Sequence, residues 1–270
     1  MMSSSGNLTF EEQYHNLMYK VAEHGELRRT RNADTLALFG ESLTADLRKG
    51  FPLLTGRKLF YRGVFGELAA MLRKPTNISD FKKWGCNYWD KWGAEDGSIN
   101  IDYGNAWHAD GQIVELKRML KEDPTSRRML INGWRPSNIT DLSLPCCHFS
   151  YQFFVGIDNC LHMIWTQRSV DVMIGLPSDM IFAAAWLIAM GNEFNLTPAT
   201  IKMDFGDTHI YTDHVEGADV YAKQYVTRST KKVDYIYDMP LGTDFCLFDP
   251  NKLILTGYEP QDKIGFKLHA

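Results

Sequence analysis

The chain's order of elements predicts an α+β fold around one large sheet, because helical and strand-like segments succeed one another irregularly instead of in a βαβ alternation. With 270 residues, 44% of them hydrophobic and 23% charged, the chain can bury a full core. Neither an internal repeat nor a linker-like tract divides it, so a single domain over residues 1–270 is expected.

Residues 7–26 read as a first helix. Thr9 is placed to cap it, Glu12 completes a capping box, and Tyr14, Leu17, Met18 and Val21 recur at helical spacing. A basic turn, Arg28-Arg29-Thr30-Arg31, follows, and residues 35–46 alternate loosely around Gly40 as a strand with a bend. Residues 62–73 form a helix with Val64, Phe65, Leu68, Ala69 and Leu72 on one face and a single acid, Glu67. Residues 81–108 gather Trp84, Tyr88, Trp89, Trp92, Tyr103 and Trp107 among glycine, asparagine and aspartate, the aromatic density of a ligand-facing loop. A helix over 112–121 and the turn DPTSRR come next, then strands near 129–134, 148–155 and 161–167. An apolar helix over 180–193, a strand near 201–205 and the segment 206–214 complete the pattern.

The net charge of -4 and pI of about 6.1 give no electrostatic case for binding duplex DNA or an anionic membrane. A bound phosphate should therefore be small and locally gripped. Cys86, Cys146, Cys147, Cys160 and Cys246 make an odd set without a CxxC pair or zinc-like histidine spacing, so no metal is expected and a reducing compartment fits. The N-terminal residues show neither a basic n-region nor an apolar h-region, and no run approaches the roughly 18 apolar residues of a membrane span. A soluble, cytoplasmic protein is the expectation.

Cys147 sits in LPCCHF, after Pro145 and before His148. A cysteine is a nucleophile only where positive charge or donors populate its thiolate; otherwise it is a small buried hydrophobe, the commoner fate. Its company decides. Arg127 and Arg128, Arg168 beside Ser169, and the cluster 28–31 offer guanidinium groups that match phosphate oxygens bidentately, although solvated surface charge is the usual role of an arginine.

At this point the residues resemble the thymidylate synthase family over nearly the whole chain. FPLLT, ELxxxL, WDxW, YGxxW, DPxSRR, LPxCH, QRSxDVxxGLP and GDxHxY occur in that order and at compatible spacing. The resemblance implies a large mixed sheet with flanking helices and a homodimer packed sheet against sheet. It implies one-carbon transfer to C5 of a pyrimidine nucleoside monophosphate, with 5,10-methylenetetrahydrofolate as cosubstrate. Cys147 would attack C6 of the base, with His148 beside it; Glu67 would organise water and proton transfers, and Tyr103 would lie close to the reacting ring. Arg168 and Ser169 would hold the phosphate with Arg127 and Arg128 lent by the other subunit, and Arg31 would be the fourth phosphate arginine, with Arg29 the alternative. Gln167, Asp171 and Asp179 would contact the nucleotide, and His209 and Tyr211 its sugar. Trp89, Trp92, Asp171 and Gly175 would line the folate side, and Arg57 would meet the folate glutamate tail.

The chain departs from the family where uridylate-using members carry asparagine after GLP: here Asp179 stands. Cytosine presents an amino group at C4 and a bare N3, which a protonated carboxyl complements, whereas an ionised aspartate opposes the O4 carbonyl of uracil. The expectation is a cytidylate substrate, with dCMP favoured over CMP; the competing role for Asp179 is a cap on a helix starting at Met180. The same choice, with WRPSN at 134–138, resembles the phage deoxycytidylate hydroxymethylases and so implies host cytoplasm and DNA modification. The polar ending GFKLHA suggests that water competes with hydride, giving hydroxymethylation. A dCMP methylase, a synthase acting on dUMP, and a silent nucleotide-binding relative are the alternatives.

Overall fold

The computed structural model describes residues 8–269. Helix α1 (Phe10–His24) opens with the expected capping box: Glu12 N–H donates to Thr9 Oγ1 at 3.2 Å and Thr9 N–H donates to Glu12 Oε2 at 2.7 Å. The expected start at residue 7 lies outside the described residues. Short strands β1 (Glu26–Arg29), β2 (Asp34–Phe39) and β3 (Ser42–Asp46) follow. Helices α2 (Tyr61–Met71), α3 (Ser79–Lys82), α4 (Gly104–His108) and α5 (Gln112–Glu122) lead to strands β4 (Leu130–Asn132), β5 (His148–Val155) and β6 (Cys160–Asp171). Helix α6 (Gly175–Phe194), strand β7 (Thr197–Tyr211), helix α7 (Val215–Val226) and the hairpin β8 (Asp234–Tyr237) with β9 (Leu253–Thr256) complete the chain.

Seven strands form one mixed sheet in the order β1-β2-β7-β6-β5-β4, with β3 also pairing β7. The α+β architecture with a large mixed sheet and flanking helices is therefore observed. All pairs are antiparallel except β6 and β7, which run parallel because α6 carries the chain back between them. The bent strand expected at 35–46 is β2 and β3, both antiparallel to β7, at 207–211 and 200–204 respectively. Gly40, at φ +85°, makes the bend between them in a region closed to most side chains.

The sheet has one covered face. Tyr151, Phe153, Met163, Trp165, Ile201 and Met203 point inward and are buried beneath α6, itself apolar nearly all round as a core helix should be. Trp107 of α4 stacks on Trp186 of α6 with ring centroids 4.4 Å apart. On the opposite face Leu130, Phe154 and Ile164 stay exposed, on strands whose register places them side by side with Gln152 and Lys202. No helix among the described residues is long and apolar enough to cross a membrane.

Three boundaries correct the sequence reading. The basic turn at 28–31 is in part strand β1, paired to β2. Strand β7 runs unbroken for 15 residues where a shorter strand and a following segment were expected, because its partners on both sides continue to its end. Helix α6 begins at Gly175, not near Met180, so Asp179 lies inside the helix and cannot be its cap.

Candidate functional site

A cavity of about 350 Å³ opens where the end of β6 meets the end of β7 and the loop joining β1 to β2. Thr30, Arg31, Asn32, Thr35, Arg168, Ser169, Asp207, His209 and Tyr211 line it. Arg31, not Arg29, therefore faces the cavity, which also holds Arg168, Ser169, His209 and Tyr211 as the sequence suggested. Two guanidinium groups beside a hydroxyl make an anion-sized polar cup. Asp207 was not foreseen; its Oδ1 lies 2.7 Å from His209 Nδ1 and fixes the imidazole, a pairing that two residues on one face of a strand make natural. A larger groove of about 650 Å³, between the start of α1 and residues 228–233, contains none of the expected site residues.

Cys147 borders this cup through Arg168. The Arg168 Nη2 group lies 3.9 Å from Cys147 Sγ and donates to the Pro145 carbonyl at 3.1 Å, while Nε donates to the Cys146 carbonyl at 2.9 Å. Two backbone carbonyls thus aim one guanidinium at the thiol. Burial pushes the Cys147 thiol above its ordinary range and Arg168 pulls the other way, so the arginine counteracts a desolvation that would otherwise silence the sulfur. Cys147 N–H donates to Tyr103 Oη at 2.9 Å, which seats the tyrosine against Cys147. The His148 ring does not open to the cavity: it packs against Tyr103 at 4.5 Å and Trp165 at 4.3 Å, and Nδ1 lies 2.6 Å from Tyr151 Oη. Desolvation drives its pKa down to about 3, which keeps the ring neutral where it packs behind Cys147.

Two carboxyl groups share the interior side. Asp179, on the second turn of α6, accepts from Gln167 Nε2 at 2.7 Å through Oδ2, and burial raises its pKa to about 8. The charges of Glu67 and Asp171 add to that rise, and Asp179 in turn bears on Cys147. Gln167 Oε1 is buried without a partner, an open acceptor beside the carboxyl. Glu67, on α2, accepts from Tyr88 Oη at 2.6 Å and from Trp89 Nε1 at 2.7 Å. These donors favour the carboxylate, but burial wins and lifts its pKa to about 7. Tyr88, read only as part of the aromatic cluster, is the donor that sequence reasoning missed.

Aromatic rings join the two halves: Trp89 stacks on Phe81 at 5.0 Å and meets Trp92 at 5.1 Å and Tyr103 at 5.9 Å. Asp171 Oδ1 accepts from Met173 N–H at 2.8 Å and Ile174 N–H at 3.2 Å, which sets the turn into α6. Gly175 begins that helix, where an added Cβ would stand 3.7 Å from Asp179 Oδ2.

Arg57 is placed differently from expectation. It is buried, donates to the Met173 carbonyl through Nη2, and lies under the Phe266 ring at 4.9 Å, so it is covered and anchors the C-terminal tail instead of facing solvent. That polar tail is docked: Lys91 Nζ donates to the Leu268 carbonyl at 2.8 Å, and the His269 ring stacks on Tyr211 at 4.2 Å. Arg127 and Arg128 stand exposed outside the cavity, in the turn between α5 and β4.

A profile of the family described as Thymidylate synthase matches residues 12–270 of this chain.

Proposed function

The chain belongs to the thymidylate synthase family, whose members transfer a folate-borne one-carbon unit to C5 of a pyrimidine nucleotide, and from that premise we propose that its substrate is dCMP and its product 5-hydroxymethyl-dCMP. The observation that carries this reading is Asp179, seated against Gln167 Nε2 and raised by burial, despite that hydrogen bond, to a pKa of about 8. One oxygen of a neutral carboxyl shares its proton with N3 of cytosine while the other accepts from the 4-amino group. The asparagine of uridylate-using relatives offers the opposite pairing.

In the proposed reaction the nucleotide phosphate sits on Arg168, Ser169 and Arg31, and the sugar lies against His209 and Tyr211. Arg127 and Arg128 complete the phosphate grip from a second subunit. The uncovered sheet face with Leu130, Phe154 and Ile164 supports such a homodimer. The Cys147 thiolate adds to C6, which makes C5 enamine-like and able to take up the one-carbon unit. Methylenetetrahydrofolate supplies that unit, and Trp89, Trp92, Asp171 and Gly175 are the residues that would hold it. Glu67, ionising near neutrality, directs water to give and remove the protons that release the carrier and strip C5 of hydrogen. Tyr103 positions Cys147 through its backbone amide. Water then adds to the C5 methylene and β-elimination of the thiolate frees the product.

A second reading, methylation of dCMP, is favoured by the docked tail, since Phe266 over Arg57 and His269 stacked on Tyr211 bring the tail to the rim of the cavity, where it would hinder water. Incubating the protein with dCMP, dUMP or CMP and methylenetetrahydrofolate, and weighing the product by mass spectrometry, tests both. Hydroxymethyl-dCMP without dihydrofolate is expected; methyl-dCMP with dihydrofolate moves the conclusion to the second reading, and turnover of dUMP alone overturns both.

A further inference from the structure

The docked tail brings together donors that lie far apart in sequence. Asp213, His214 and His269 place one ligand atom each within 4.8 Å of one another. His269 Nε2 lies 3.0 Å from each oxygen of the Asp213 carboxylate, and His214 Nε2 lies 3.9 Å from Asp213 Oδ1. Ligands at about 2.0 Å from a tetrahedral ion are separated by roughly 3.3 Å, a spacing these distances bracket.

His214 supplies an independent sign that something positive belongs there. Its ring is buried, with Nε2 2.8 Å from the Lys267 carbonyl oxygen. Its Nδ1 is buried without a hydrogen-bond partner, 4.0 Å from Asp171 Oδ1. A neutral imidazole has one N–H, so in either tautomer one ring nitrogen turns a lone pair toward an oxygen. A cation on Nε2 removes the conflict. Nδ1–H then points to Asp171, the carboxylate–histidine–metal arrangement that orients ligating imidazoles, and the Lys267 carbonyl becomes a further oxygen facing the ion.

We infer that Asp213, His214 and His269 form a binding site for a borderline-soft divalent cation of the zinc class, which staples the C-terminal tail to the entrance of α7. Two imidazoles and a carboxylate suit zinc and fit poorly with magnesium, which prefers an all-oxygen octahedron. The Lys267 ammonium, which bears on Asp213, opposes the ion and keeps the affinity moderate.

The test uses the full chain and zinc chloride. Calorimetric titration is expected to show one-to-one binding that is lost in His269→Ala and weakened at least tenfold in Asp213→Asn. Zinc is also expected to slow tryptic release of residues 268–270, cleaved after Lys267, by tenfold or more in the wild type and not at all in His269→Ala. Magnesium should leave that rate unchanged. Absence of zinc binding overturns the inference. Equal binding by His269→Ala, or equal protection by magnesium, overturns it as well.

Discussion

Asp179→Asn keeps the side chain's size and replaces a carboxyl that can put its proton on either oxygen by an amide that cannot. Gln167 Nε2, 2.7 Å from Oδ2, is expected to hold the amide oxygen and leave the NH2 group toward position 4 of the base. That arrangement opposes donor to donor at the amino group of cytosine and matches O4 of uracil. One mismatched buried polar pair costs about 2 kcal/mol, or about thirty-fold in rate constant at roughly 1.4 kcal/mol per decade. A loss of that size on dCMP and a gain of that size on dUMP compound to about a thousand-fold change in their ratio of kcat/KM, if the two contributions add. The assay is initial-rate kinetics on both nucleotides at saturating methylenetetrahydrofolate, repeated across pH. With dCMP, wild-type activity should fall as the pH rises through about 8, where the Asp179 carboxyl ionises, and the variant acting on dUMP should lack that limb. An unchanged ratio, or a limb near 8 that survives the substitution, refutes the reasoning.

Other outcomes follow from the same geometry. Glu67→Gln should lower kcat by about 10²-fold or more and remove the titration near 7 from the pH profile while leaving Asp179's limb. Arg168→Ala should raise KM for the nucleotide and slow alkylation of Cys147 by iodoacetamide at neutral pH, because the group that favours the thiolate is gone. Folding linkage gives a further sign. Asp179 and Glu67 hold protons in the folded protein that the unfolded chain releases above about 4, so their contribution to stability is complete at low pH and is lost as the pH rises through about 7 and 8. The melting temperature of Asp179→Asn should therefore decline less between these limits than that of the wild type. Gly104→Ala should lower stability by about 3 kcal/mol, since its Cβ would fall 1.7 Å from the Met71 carbonyl oxygen; an unchanged denaturation midpoint would contradict that packing.

Much of this was legible in one dimension because the informative residues are local. Thr9 and Glu12 announce α1 through side chains that reach their own backbone, and Gly40 announces a bend through its conformational freedom. QRSxDVxxGLP keeps Gln167, Arg168, Ser169, Asp171 and Gly175 in one stretch, so their proximity was visible in the sequence. What stayed hidden depends on distance in sequence. Nothing near Arg57 reveals that Phe266 will cover it, and the spacing of His214 and His269 carries no ligand signature. The expected start of α6 near Met180 was five residues late: the helix begins at Gly175, with Pro177 in its first turn, where proline sacrifices only an N–H with no partner to lose. That error mattered, since it was the basis for treating Asp179 as a cap. His148 adjoins Cys147 in sequence, but it is the first residue of β5 and the sheet sends its imidazole into the core, while Cys147 stays in the bend before the strand.

Strand β6 lies in the middle of the sheet, hydrogen-bonded to β5 on one side and β7 on the other, while Arg31 rides on the connection between the outermost strand β1 and its neighbour β2. The two arginines of the proposed phosphate cup therefore belong to regions with different opening free energies. Backbone amides around Arg168 and Ser169 should exchange with deuterium only when the whole domain unfolds, whereas those of residues 28–33 exchange through fraying of the edge. A nucleotide bridging both regions ties the edge to the centre, so its binding should slow exchange in the β1–β2 connection and leave β6 unaltered until global stability itself rises by mass action.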